Sequence, residues 1–238
     1  MTALGLALAA AAGNLIGAMA VVRRQRRGLA LIEGFVAFGA GFMLAVMLLE
    51  VTPEVLEAGS DGAIYILAGY FAVHVAQHVV VPHFHFGEET HPVSRRAGVS
   101  ALCGLLLHTF FDGVAIASGF LVSRELGLLL FLAVLLHKLP EGVTMASLML
   151  AGGQGRRRAL GAAGALGVAT VAGVLLTEQL ALLARYGLAI SAGVTLYVAA
   201  SNLVPEFQAK RGWRLPLAFL GGAAAFFATR LLVDGVLS

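Results

Sequence analysis

Two stretches place ionisable side chains inside strongly apolar sequence. The first is "LCGLLLHTFFDGVAIASGF", carrying His108 and Asp112, and the second is "LLLFLAVLLHKLPEGVTMASLML", carrying His137, Lys138 and Glu141. Histidine and carboxylate are four residues apart in each, so on a helix both members of a pair occupy one face. A short polar turn, Ser123-Arg124-Glu125, separates the stretches and makes the two helices antiparallel neighbours. His108 precedes Ser123 by fifteen residues and His137 follows it by fourteen, which puts both roughly 20 Å from the same turn. Two imidazoles and two carboxylates are thus predicted at one depth. Ionisable groups in an apolar medium persist where they pair with one another or serve a path. A divalent transition metal would offset their cost, because imidazole and carboxylate are ordinary ligands for Zn²⁺ and Fe²⁺. Pro140, lacking an N–H, frees the carbonyl of Leu136 beside this constellation and is expected to bend the helix there.

The medium follows from composition. Of 238 residues, 59% are hydrophobic and 12% charged, and the mean hydropathy is +0.91, outside the range of soluble domains. Segments of about 20 apolar residues, enough to span a bilayer, are read at 3–22, 30–52, 62–82, 98–122, 126–151, 159–184, 187–208 and 214–237. The first has no basic leader and is expected to be a retained span rather than a cleaved signal. Alternate connections carry twelve basic residues, among them Arg23, Arg95, Arg156 and Lys210, against Arg124 and Arg185 on the other side. The positive-inside rule then places the basic connections in the cytoplasm and both termini outside it. Short arginine runs at such positions are membrane anchors, so no nucleic-acid partner is expected. One cysteine, Cys103, excludes an internal disulfide.

"AGFMLAVMLLEVTPEV" from Ala40 and "AGVTLYVAASNLVPEF" from Ala192 align at a constant offset of 152, with Pro53-Glu54 over Pro205-Glu206. These segments run in opposite directions, so segments 1–3 and 6–8 read as an inverted-topology repeat, an architecture recurrent among transporters. The expected fold is an all-α integral membrane protein of eight transmembrane helices in a 3+2+3 arrangement. It forms one transporter domain over residues 1–238, with a histidine-containing cytoplasmic loop at about 83–97. Abundant glycine suits close helix packing or a homodimer.

"HTFFDG" followed by "HKLPEG" resembles the paired signature of the ZIP (Zrt/Irt-like) family of divalent metal transporters, in its bacterial type. The resemblance implies eight helices, outward termini and uptake of Zn²⁺ or a related metal toward the cytoplasm, through a site on the second, fourth and fifth helices. The metal is substrate, and no organic cofactor is implied. Carried over by position, the ligands are His108, Asp112, His137 and Glu141 with the thioether of Met43. Some members hold a second ion, using positions that here correspond to Thr109, Lys138 and, by a looser alignment, Ala169. A lysine ammonium has no lone pair to donate. Lys138 is therefore expected to replace the second metal by pairing with Asp112 or Glu141.

Outside the membrane, Glu50, Glu54, Glu57 and Asp61 form an acidic end to the second segment, a field that would concentrate cations at an entrance. Toward the cytoplasm, His74 and His78 share a helix face, and His83, His85 and His91 follow in the loop, a tract suited to metal release or sensing. The rival readings are an intramembrane zinc metalloenzyme and a metal exporter or sensor. The enzyme motif H-E-x-x-H requires a glutamate base, and this chain has Lys138 after its histidine. The expected location is the plasma membrane, the inner membrane of a bacterium.

Overall fold

Apolar runs without water must satisfy their backbone hydrogen bonds internally, which leaves the helix as the economical solution for each segment. The computed structural model describes residues 2–23, 29–59, 61–77, 95–208 and 210–237, and all its regular elements there are helical. In chain order they are α1 (Ala3–Arg23), α2 (Leu29–Val46), a π-helical segment (Met47–Val51), α3 (Thr52–Ala58), α4 (Gly62–Val75), α5 (Arg95–Val122) and α6 (Arg124–Ala151). There follow α7 (Arg156–Gln179), α8 (Ala181–Tyr197), a second π-helical segment (Val198–Leu203), α9 (Val204–Gln208) and α10 (Arg214–Leu237). Among the described residues, seven helical stretches are long and apolar enough to cross a membrane, and α4 is a shorter apolar helix. Large side chains such as Leu8, Ile64, Val168, Leu182, Leu217 and Leu231 are exposed on its outer surface, a surface suited to acyl chains rather than water.

The second and seventh segments share an interruption. Each passes from α-helix into a π turn and then meets a proline, Pro53 or Pro205. Proline removes a ladder hydrogen bond and crowds the preceding turn, and a widened turn accommodates both effects. Two boundaries differ from the sequence reading. The polar turn between α5 and α6 contracts to Ser123 alone, whose Oγ accepts a hydrogen bond from the Leu126 N–H at 3.0 Å and caps α6. The break between the sixth and seventh segments falls at Leu180, in extended conformation, rather than near Arg185. Arg185 lies within α8, its guanidinium 5.1 Å from the centre of the Tyr186 ring, so its charge marks a helix face and not a loop.

Helix association in lipid depends on close packing rather than on the hydrophobic effect, and this chain achieves it with one device used four times. Gly17 of α1 sits over the Leu139 carbonyl of α6, and Gly142 of α6 over that of Asn14. Gly41 and Gly222 join α2 to α10 in the same reciprocal way, through Phe219 and Phe38. Gly69 and Gly193 join α4 to α8 through Ile190 and Ile66, and Gly113 and Gly173 join α5 to α7 through Thr170 and Phe110. In every pair the glycine follows the covered carbonyl on its own helix by three residues, and a Cβ on any of the eight would collide with backbone. Such contact permits weak Cα–H···O bonds. It also fixes the level at which α5 and α6 present their polar residues, because both are pinned next to them.

Candidate metal centre

α5 contributes His108, Thr109 and Asp112, and α6 contributes His137, Lys138 and Glu141. All six are buried, Lys138 and Thr109 completely. The predicted common depth is realised, since the His108 and His137 rings lie 5.4 Å apart, centre to centre. One ligand atom from each of His108, Asp112 and His137 falls within 4.8 Å of the others, a separation one ion can bridge.

The lysine organises the carboxylates. Lys138 Nζ donates to Asp112 Oδ2 and to Glu141 Oε2, both at 2.6 Å, so it pairs with both acids rather than with one. Thr109 Oγ1 donates to Glu141 Oε1 at 2.5 Å. A further residue, missed by the motif reading, comes from α1. Asn14 is fully buried, and with its amide nitrogen turned toward the acceptors it donates to Glu141 Oε2 at 3.2 Å and to the Lys138 carbonyl at 2.5 Å. That orientation is required, because an amide oxygen facing the same two acceptors would only be repelled. The spacing of α1 gave no sign of this role, since a single asparagine has no partner within its own helix.

The imidazoles are set differently. His137 Nδ1 lies 2.9 Å from the Ala133 carbonyl, which can only accept, so Nδ1 carries the proton. Its Nε2 points at Asp112 Oδ2 across 3.3 Å. In the neutral ring that is a lone pair aimed at a carboxylate, an arrangement satisfied by a cation between them. Orientation of one imidazole nitrogen by a backbone carbonyl is the usual support of a metal-ligating histidine. Both nitrogens of His108 and Oδ1 of Asp112 are buried without a hydrogen-bond partner, and an ion would supply what they lack. A cavity of about 30 Å³ adjoins the centre, bordered by Val36, His108, His137, Glu141, Thr144 and Leu203. In the other direction along α6, Ala133, Leu130 and Leu126 belong to an apolar cluster with Met43 and Met47.

Met43 is fully buried in that cluster. Ala169 is partly exposed, and its neighbour Thr170 is the buried residue packed on Gly113. Pro140 lies within an α6 that continues to Ala151. A Cβ added to Gly39 of α2 would stand 3.6 Å from the Leu136 carbonyl freed by that proline. Glu54 and Asp61 border an outer cavity of about 380 Å³ with Tyr65, Ser118, Arg185 and Tyr186. Glu50 forms an ion pair with Arg230 at 2.8 Å, so the acidic end is partly neutralised by a residue from α10. The ring of His74 packs 5.8 Å from that of Tyr197. His78, His83, His85 and His91 lie outside the described residues.

Apolar helices of membrane-crossing length around a buried His/Asp centre define a membrane protein equipped to hold a metal ion. The model of the ZIP zinc transporter family matches residues 87–229, and the chain belongs to that family. Its members transport divalent metals and are not enzymes, so the metalloenzyme reading falls away. No curated protein matches the chain.

Proposed function

We propose that this protein carries a divalent transition metal, zinc foremost, across the plasma membrane of a bacterium toward the cytoplasm, binding it midway between α5 and α6. The observation that carries the reading is the aim of His137 Nε2 at Asp112 while Nδ1 is committed to Ala133. A ligand-ready nitrogen and an anion converge there on a space that only a cation fills favourably. His108 joins the set, and Glu141 and the thioether of Met43 are the ligands carried over from the family resemblance. Lys138 stands where relatives with a second ion would hold it, so the site takes one metal.

The paired π turns and the glycine contacts at Gly41 and Gly193, again 152 residues apart, support the 3+2+3 inverted repeat in a single domain over 1–238. With the basic connections in the cytoplasm and the termini outside, the 380 Å³ cavity becomes the entrance and the 30 Å³ cavity lies on the exit side. Glu50 and Glu54 serve the entrance. His74, His78 and the loop histidines serve the exit, and a homodimer is the assembly we favour. Replacing His83, His85 and His91 together is expected to change exit rate or regulation while uptake persists. Abolished uptake in a properly inserted variant would contradict that role.

Zn²⁺ accumulation in vesicles of defined orientation tests the whole reading. Right-side-out vesicles are expected to fill. An exporter would fill only inverted ones, and a sensor neither.

A further inference from the structure

We propose that the cation passes from the outer cavity toward the metal centre along the seam between α5 and α8, and that the hydroxyls of Ser118 and Ser191 hold it on the way as a hydrated ion. This deepens the transport reading above and rests on it.

The seam is defined at three levels. Nearest the outer cavity, a Cβ added to Gly187 of α8 would stand 2.7 Å from Val114 Cγ1 and 2.8 Å from Ser118 Oγ, both on α5. Deeper, Val194 of α8 belongs to a buried cluster against which Phe111 of α5 packs. Deeper still, Val198 borders the 30 Å³ cavity together with Leu105 and His108 of α5. Gly187, Val194 and Val198 therefore mark the face of α8 that is turned to α5. Ser191, four residues after Gly187 and three before Val194, lies on that same face. Ser118 also lines the 380 Å³ cavity, so the seam joins that cavity to the level of the histidines.

Ser118 and Ser191 are buried, at 2% and 1% exposure, and neither hydroxyl has a hydrogen-bond partner among the described residues. A buried hydroxyl on an apolar helix can bond back to the carbonyl four residues earlier, and this chain uses that solution on α7. Thr170 donates to the Leu166 carbonyl at 3.3 Å and Thr177 to the Gly173 carbonyl at 2.7 Å. The two serines of the seam forgo it. An unmade hydrogen bond is costly in such surroundings, and the water shell of a cation between the helices would supply it. Six residues deeper than Ser118 on α5, about 9 Å, stands Asp112, which gives the route a charged end. Ala115 of α5 and Ala189 and Ala192 of α8, members of one buried cluster, keep the neighbouring side chains short. Neutral hydroxyls hold a hydrated ion weakly, as a path must if the ion is to move on. Glu54 and Asp61 at the mouth raise the local cation concentration, and the final exchange of water for protein ligands is left to the imidazoles.

Two double variants of matched volume test the proposal in right-side-out vesicles carrying the full chain. Ser118→Val with Ser191→Val removes both hydroxyls and is expected to slow Zn²⁺ uptake by about tenfold or more, while melting no lower than the threonine pair. Ser118→Thr with Ser191→Thr adds the same bulk but keeps the hydroxyls, and should transport at least about threefold faster than the valine pair. A purely structural role would move melting and leave the two uptake rates alike. Independently, Ser191→Cys in a Cys103→Ala background should react with a membrane-impermeant cationic methanethiosulfonate added outside, and Zn²⁺ should slow that reaction. Equal uptake by the two pairs, whether fast or slow, or a Ser191→Cys thiol that the reagent does not reach, would overturn the inference and leave the metal centre as described. An unmutated chain that takes up no Zn²⁺ would instead remove the transport reading itself.

Discussion

Lys138→Met is expected to raise the bound metal from one ion per chain to two and, without metal, to destabilise the protein by about 3–5 kcal/mol, the usual cost of breaking a buried ion pair from one side. The ammonium is fully buried and lies 2.6 Å from an oxygen of each acid. Its removal leaves two carboxylates in an apolar setting with no counter-charge, where like charges repel strongly. With neutral histidines the site passes from one net negative charge to two. A second divalent ion placed near the former ammonium position would recover the lost attraction and could use Asp112 Oδ2 and Glu141 Oε2 as ligands. Added Zn²⁺ should therefore restore much of the thermal stability of Lys138→Met while giving the unmutated chain the smaller increment of a single site. Melting curves with and without Zn²⁺, together with metal analysis of the purified proteins, provide the check. Two ions in the unmutated chain would show that the lysine does not occupy a metal position.

The centre was legible because its signals are local. Histidine and carboxylate at i, i+4 identify a face, and distance from Ser123 sets a depth, so two separate stretches could be brought to one level before any coordinates. Lys138 was legible as a partner for one of the acids for the same reason, although its simultaneous pairing with Asp112 and Glu141 required the three-dimensional arrangement. Asn14 was not legible, since its meaning lies in α6 and nothing within α1 points there. The acidic end of the second segment has a partner that its own sequence does not show. Arg230, distant in sequence, faces Glu50 and removes part of the field. The boundary after the sixth segment was misplaced because Arg185 was taken for a loop charge, whereas an arginine near a helix end can lay its guanidinium against an aromatic ring and remain helical. The offset of 152 did carry structural information. It aligned Gly41 with Gly193 and Pro53 with Pro205, and those positions proved to be matching contacts and matching helix interruptions.

Which of the 30 glycines matter follows only from the helix crossings, and this leads to the second large expected effect. Gly142→Leu should abolish transport and lower thermal stability by roughly 3 kcal/mol or more, at or beyond the upper end of ordinary overpacking costs. The reason is the identity of the neighbour. A Cβ at Gly142 would strike the Asn14 carbonyl, and backbone cannot rotate aside as a side chain does. Relief requires α1 and α6 to separate, and separation withdraws the Asn14 amide from Glu141 and from the Lys138 carbonyl in the same movement. Stability and site geometry thus fail together. Gly161→Leu is the matched control, because Gly161 is exposed and nothing lies within 4 Å of an added Cβ there. It should insert, melt and transport as the unmutated chain does. Comparison of the two variants by thermal melting and Zn²⁺ uptake separates crowding at the crossing from the general effect of adding a leucine to a membrane helix. Equal behaviour of the two would mean that α1 is not pinned to α6 where Asn14 reaches the site.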